Sequence, residues 1–165
     1  MDYFESVVVG YLRANRALFV NTEYCIQLNA TANPDTSGPH WYCDALICDF
    51  RAKAVFLGET SFNKNLGDKK NGLVARLRAG NENWQGVLNA LRRDSFLPPE
   101  WPVRPWLFIP EGLIPLLLRR LEEMRPLEFV PRVTTLEKVQ PWLYPSWNRQ
   151  EEAIKLDIIP PDMRV

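Results

Sequence analysis

The sequence has few of the residues on which nucleophilic and zinc chemistry depend. It contains one histidine and three cysteines in 165 residues, and the pattern Gly-x-Ser-x-Gly does not occur. A Ser-His-Asp or Cys-His arrangement needs a positioned histidine, so a nucleophilic triad is not supported. The alternation of a strand would place Cys43 and Cys48 on opposite faces, which argues against a zinc site. We expect these two cysteines and Cys25 to be buried thiols in a reducing compartment.

A charge excess, a membrane-spanning run and a nucleotide-binding motif are also missing. Twenty basic and twenty acidic side chains cancel, so no global positive field indicates a nucleic-acid partner. No window approaches the roughly 20 apolar residues that cross a bilayer, and no basic segment precedes an apolar run as in a signal peptide. Neither a P-loop nor a Rossmann glycine pattern occurs. We therefore expect a cytoplasmic protein without a membrane partner.

The apolar spacing predicts one α/β domain over residues 1–165, with a core in 1–135 and a Trp/Pro-rich extension in 136–165. Asp2 and Glu5 have the spacing of a capping box at the start of the first helix. A meander of strands followed by a helical crossover gives a mixed central sheet flanked by helices. The predicted elements are a helix at 3–18, strands at 19–28, 41–50 and 54–62, helices at 69–78 and 83–93, a strand at 103–109, a helix at 111–124 and a strand at 127–133.

The hairpin predicted over residues 41–62 carries two acids at positions that would otherwise be apolar. Asp44 lies near the start of its first strand and Glu59 near the end of its second, so antiparallel pairing brings both to one end of the sheet. Two converging carboxylates are the minimum needed to hold Mg²⁺ or Mn²⁺. In the alternative interpretation, Asp44 is exposed to water and Glu59 pairs with Lys64 or Arg51.

The order of elements, with the segments Tyr42-Cys43-Asp44-Ala45 and Gly58-Glu59-Thr60-Ser61, resembles the PD-(D/E)xK nuclease superfamily, also called restriction-endonuclease-like. The resemblance implies an αβββαβ core and metal-dependent hydrolysis of DNA phosphodiester bonds. It implies that the carboxylates of Asp44 and Glu59 and the carbonyl of Thr60 hold Mg²⁺ or Mn²⁺. Glu5 resembles the acid that many members add from their first helix.

The motif departs from the family pattern at the position of the catalytic lysine. Ser61 stands where the family has a lysine that acts on the attacking water, and a serine cannot supply a positive charge. Some members recruit a basic residue from another element, and Lys64 and Lys69 are the candidates here. The proline of the family motif is also replaced, by Cys43. The sequence therefore predicts a nuclease with a replaced lysine or a catalytically inactive relative that binds nucleic acid or protein.

A basic stretch follows the hairpin and is the candidate surface for DNA phosphates. The same residues are also typical of a solvated helix face, with Arg76 pointing outward. A third interpretation is an interaction module whose Trp/Pro-rich C-terminal segment contacts a protein partner or a second copy of the chain. The candidate phosphate-binding residues are Lys64, Lys69, Lys70 and Arg76.

Overall fold

A computed structural model describes residues 2–28, 40–67, 72–95 and 97–140, without the side chain of residue 95. Lys69, Lys70 and most of the Trp/Pro-rich extension lie outside these residues. Two short 3-10 helices, Glu111–Leu113 and Leu136–Lys138, accompany the regular elements. The regular elements are α1 (Tyr3–Arg13), β1 (Leu18–Gln27), β2 (His40–Asp49), β3 (Ala54–Thr60), α2 (Leu73–Glu82), α3 (Trp84–Ser95), β4 (Val103–Ile109), α4 (Ile114–Glu123) and β5 (Arg132–Thr135).

The five strands form one mixed sheet in the order β1-β2-β3-β4-β5. The first three pair antiparallel as a meander, whereas β3, β4 and β5 pair parallel. Each parallel step is connected through helices, because a parallel pair needs a crossover. The predicted α/β class, the element order and the mixed sheet flanked by helices are confirmed.

Several element boundaries differ from the predicted ones. The first helix ends five residues early, with Ala14 as its C-cap. The helix break predicted at Gly80 lies at Asn83. The last strand is β5, not residues 127–133, and Phe129 before it packs into the core instead. Thr60 ends β3 two residues before the predicted end.

The helices divide between the two faces of the sheet and enclose two hydrophobic clusters. The larger cluster, on the α2–α4 side, includes Trp41, Leu57 and Leu107. The smaller one, on the α1 side, includes Phe56 and Trp106. Leu136 and Val139 are buried in the α1-side cluster, so the core extends beyond residue 135, where the sequence predicted its end.

The alternation of side chains along β2 changes phase at Asp44. Trp41 and Cys43 belong to the α2-side cluster, and so do Leu46 and Cys48. Regular alternation would put residues 43 and 46 on opposite faces. The prediction that Cys43 and Cys48 point to opposite faces is therefore wrong.

The neighbouring strand is irregular at the same place. Glu23 of β1, whose register places it opposite Asp44, has a φ of 56°, in the left-handed region that non-glycine residues rarely adopt. Glu23 and Asp44 do not form a ladder pair, although the pairing on either side of them keeps one register. The irregularity brings Asp44 to the same side of the sheet as Trp41.

The capping box predicted at the first helix is present. The backbone N–H of Glu5 donates to Asp2 Oδ1 at 2.8 Å, and that of Asp2 donates to Glu5 Oε2 at 2.7 Å. Among the described residues, no helix is long and apolar enough to cross a membrane.

Candidate functional site

Asp44 and Glu59 lie together at one end of the β2–β3 hairpin, as the antiparallel pattern predicted. Ala45 pairs with Gly58, so continuing the register places Asp44 opposite Glu59. Both carboxylates contact the same guanidinium, that of Arg76 on α2. The hairpin thus supplies two acids, and the following helix supplies one cation.

Arg76 lies between the two acids as a bridging cation. Its Nη2 is 2.8 Å from Glu59 Oε2, and its Nη1 is 3.8 Å from Asp44 Oδ1. Neither contact has the geometry of a hydrogen bond: Glu59 Oε2 and Arg76 Nε are both buried without a hydrogen-bond partner. The attraction to Asp44 is therefore Coulombic rather than directional, and that to Glu59 becomes so when Glu59 is ionised. The prediction that Arg76 points outward is wrong, because its side chain turns back to the sheet.

Glu59 is fully buried and is held from a second direction by Trp41. The indole Nε1 of Trp41 donates to Glu59 Oε1 at 2.7 Å. Burial raises the pKa of Glu59 to about 8, although Arg76 opposes the rise. At neutral pH the carboxyl is accordingly mostly protonated, and it accepts the indole hydrogen bond without exposing a charge to the core.

Asp44 is anchored to the backbone of the neighbouring strand. Its Oδ2 accepts a hydrogen bond of 2.6 Å from the N–H of Thr60. Burial raises its pKa, and this hydrogen bond and Arg76 partly offset the rise. The side chain keeps a little exposure, at 13%. Asp44 is thus the more accessible acid of the pair.

A glycine on α2 lets the Trp41 ring reach its place under the helix. A Cβ at Gly80 would lie 2.8 Å from both Cε3 and Cη2 of Trp41, which is closer than real Cβ contacts allow. The ring also meets Trp84 edge-on, with centroids 5.9 Å apart. Close packing of α2 against β2 therefore depends on Gly80, and it sets the position of the indole N–H that Glu59 uses.

Of the other predicted site residues, Glu5 interacts electrostatically with both acids and is a minor cause of the raised pKa of each, whereas Lys69 and Lys70 lie outside the described part of the chain. Glu5 uses Oε2 in the capping box of α1. Thr60 contributes its backbone N–H to Asp44. Lys64 is exposed in the turn after β3, and among the described residues Glu59 pairs with Arg76, not with Lys64 or Arg51.

Arg76 and Trp41 are the two members of the site whose roles the sequence interpretation missed. Arg76 is three residues after Leu73 and four before Gly80, both of which face the sheet. That spacing puts it on the border of the buried face of α2, from which a long side chain can reach inward. Trp41 and Cys43 both lie on the buried α2-side face of β2. This pattern does not indicate that the indole of Trp41 donates a hydrogen bond.

This arrangement does not fit a bound Mg²⁺ or Mn²⁺ as it stands. Each of the four carboxylate oxygens of Asp44 and Glu59 faces a donor or the guanidinium of Arg76. Within residues 2–28, 40–67, 72–95 and 97–140, no three His, Cys, Asp or Glu side chains form a metal-binding group. A hard divalent ion takes six or more oxygen ligands, so Arg76 would have to move first.

A pocket of about 540 Å³ adjoins the acidic pair, with Arg76 in its wall. It lies between the start of β2 and the helices α2 and α3. The described residues that line it are Leu28, His40, Trp41, Tyr42, Ala75, Arg76, Ala79, Gly80, Asn83 and Val87.

Comparisons with protein-family models, with curated proteins and with solved structures find no match to this chain.

Proposed function

We propose that this protein is a catalytically inactive relative of the restriction-endonuclease-like nucleases that binds DNA without hydrolysing it. In this proposal the buried group Asp44–Arg76–Glu59 stands where the family holds its metal ion. The guanidinium lies against both carboxyl groups that a divalent cation would otherwise bind. What remains is a nuclease scaffold with a binding role.

The observation that carries the proposal is the engagement of both carboxylates. Glu59 has no exposed surface, and its two oxygens face Trp41 and Arg76. Burial raises its pKa to about 8, so a metal would have to displace a proton as well as Arg76 near neutral pH. Ser61 adds to this, because the motif position that carries a lysine in the family is neutral.

The order of elements supports the scaffold part of the proposal. A helix, a three-stranded antiparallel meander, helices and a parallel strand follow one another, with the acids on the second and third strands. This agrees with the αβββαβ order of the family. DNA is the partner we propose because the resemblance to the restriction-endonuclease-like nucleases implies it.

A second candidate is the metal-dependent nuclease itself, and the position of Arg76 favours it. Arg76 reaches both acids from the helix after β3, so it can take the role that the family gives to its motif lysine. In this case Arg76, rather than Lys64 or Lys69, is the recruited basic residue. The guanidinium would then have to leave Glu59 when a cation binds.

Isothermal titration of Mn²⁺ distinguishes the two candidates. We expect the acidic pair of the wild type to show no saturable Mn²⁺ binding. The titration of the wild type should therefore match that of the double variant Asp44→Asn/Glu59→Gln. We expect Arg76→Gln to gain weak binding, since it frees one oxygen of each acid. Acid-dependent Mn²⁺ binding by the wild type, together with plasmid cleavage in Mg²⁺ or Mn²⁺, would establish the nuclease instead.

DNA binding is measured separately, in EDTA, by fluorescence anisotropy of a labelled duplex. We expect binding that weakens with salt, because phosphate contacts release counterions. Lys64→Gln should weaken it, whereas Arg119→Gln, an exposed cation on α4, should not. Absence of DNA binding at low salt would refute the DNA partner and direct the search to proteins.

A further inference from the structure

The pocket beside Arg76 has apolar walls and few charged side chains among the described residues that line it. Leu28, Ala75 and Ala79 provide accessible apolar surface, and the volume of about 540 Å³ lies in the range of small-molecule sites. Among its described lining residues, only His40 and Arg76 can carry a positive charge, and none carries a negative one. The phenol of Tyr42 is neutral at physiological pH, since burial and nearby acids raise its pKa.

Arg76 retains hydrogen-bonding capacity that its two acids do not use. A guanidinium has five N–H donors. Arg76 makes ion pairs with Asp44 and Glu59 but no hydrogen bond with any described residue. One quarter of its side chain is exposed. A ligand oxygen could therefore gain directional hydrogen bonds that neither carboxylate has.

We propose that this pocket binds an organic phosphate with an apolar body, of the size of a nucleoside monophosphate. The phosphate contacts Arg76 and His40, because the planar fork of an arginine matches phosphate oxygens. The body of the ligand lies against the apolar wall of the pocket, where burial of apolar surface adds affinity. The same chemistry occurs in a free mononucleotide and at the 5′ end of a DNA strand.

Binding to the pocket does not depend on whether the acidic pair holds a metal or the protein binds duplex DNA. Arg76 contacts both acids and also lines the pocket, whereas Asp44 and Glu59 are not among the described residues that line it. The measurements are therefore made in EDTA with small ligands. Their failure leaves the outcome of the Mn²⁺ and duplex titrations unchanged.

The test is isothermal titration with adenosine monophosphate and adenosine, which differ only by the phosphate. We expect adenosine monophosphate to bind at least about tenfold more tightly, as charge-assisted hydrogen bonds predict. A 5′-phosphorylated oligonucleotide, compared with its unphosphorylated form, shows whether a strand end is also accepted. Equal affinity for adenosine and its monophosphate, or no binding of either, would overturn the proposal.

Two variants connect the binding to this pocket. Arg76→Gln should reduce the affinity for adenosine monophosphate about tenfold and leave adenosine unchanged. Ala75→Phe fills the pocket while keeping Arg76 and its acids, so it should abolish binding even if Arg76→Gln folds poorly. The control Arg119→Gln removes an exposed cation elsewhere and should bind like the wild type. Unchanged binding by Ala75→Phe would place the ligand outside the pocket.

Discussion

Two arginines on opposite sides of the sheet are held by different forces. Arg76, on the α2 side, lies against the carboxyl groups of Asp44 and Glu59. Arg132, on the α1 side, lies over aromatic rings, 3.9 Å from the centroid of Trp106 and 5.1 Å from that of Phe56. The charge around Arg76 changes within the physiological pH range, whereas the charge of Arg132 does not. The comparison separates a chemically responsive site from a structural one.

The pKa values of the two sites express this difference. Burial raises the pKa of Glu59 to about 8, so the group around Arg76 gains a negative charge between neutral and alkaline pH. Burial lowers the pKa of Arg132 to about 10, with partial compensation by Asp49 and Tyr11. Arg132 therefore stays charged throughout the range in which Glu59 titrates. Stability measurements against pH can test whether the two arginines differ as described.

The largest effect is expected when Arg76 is removed at alkaline pH. At pH 9 Glu59 is ionised, and Arg76→Gln leaves its fully buried charge without a cation. Breaking a buried pair costs about 3–5 kcal/mol, and the partial exposure of Arg76 reduces this to about 2–3 kcal/mol. At pH 6 Glu59 is protonated, so the loss falls to about 1 kcal/mol. Urea unfolding at both pH values measures the difference, and an equal loss at both would show that Glu59 does not titrate between them.

An effect of similar size on the free energy of unfolding is expected from Glu59→Gln. In this case the variant should gain stability relative to the wild type as the pH rises. The folded pKa of Glu59 is about 8 and its ordinary value is 4.5, so between these values the folded state keeps a proton that the unfolded state has released. The stability that this proton confers is fully present below about pH 4.5 and is lost as the pH rises through 8. We expect the wild type to lose on the order of 3 kcal/mol between pH 5 and 9.

Glu59→Gln should remove most of that loss, because the amide is neutral at every pH. A smaller decline in the same direction should remain, since the pKa of Asp44 is also raised. Unfolding free energies of the wild type and the variant across this range supply the comparison. A variant as pH-dependent as the wild type would assign the decline to groups other than Glu59.

Much of this fold follows from sequence pattern, because most elements have a regular apolar period. The strand Val103–Ile109 has the predicted bounds, and α1 begins at the predicted capping box. The last strand was misplaced because β5 has only four residues, too few for an alternation to emerge. The segment before it is apolar for a different reason, since Phe129 fills a space next to Trp84, with ring centroids 5.0 Å apart.

The candidate site was predictable only in part. Antiparallel pairing was sufficient to bring Asp44 and Glu59 together. The destination of Arg76 was not, because a long side chain on the border of a helix face can turn to either side. The phase change at Asp44 also escaped prediction, since it depends on the backbone of Glu23 in another strand. Contacts set by regular periodicity were recovered, whereas those set by side-chain reach and local irregularity were not.

An intermediate effect is expected from Gly80→Ala, which tests the support beneath the Arg76 site. Alanine in a helix normally stabilises by about 1 kcal/mol relative to glycine. At Gly80 the added methyl would meet the Trp41 ring, and we expect a net loss of about 1–2 kcal/mol. Gly86→Ala on α3 is the matched control, because a Cβ there meets no atom within 4 Å, so it should stabilise. Thermal unfolding of both variants compares the signs, and stabilisation by Gly80→Ala would show that Trp41 shifts freely.

The smallest effect, and the sharpest contrast with Arg76, is expected at Arg132. Replacing it with lysine keeps the charge but removes the planar group that stacks on Trp106, a loss of about 1 kcal/mol. Because Arg132 stays charged below about pH 10 and its guanidinium lies 3.9 Å from the centroid of Trp106, the loss should be the same at pH 6 and pH 9. Urea unfolding of Arg132→Lys beside Arg76→Gln measures both dependences under the same conditions. A loss that grows with pH at Arg132 would mean that a titrating partner, and not the rings, holds this arginine, and the two sites would then no longer differ in kind.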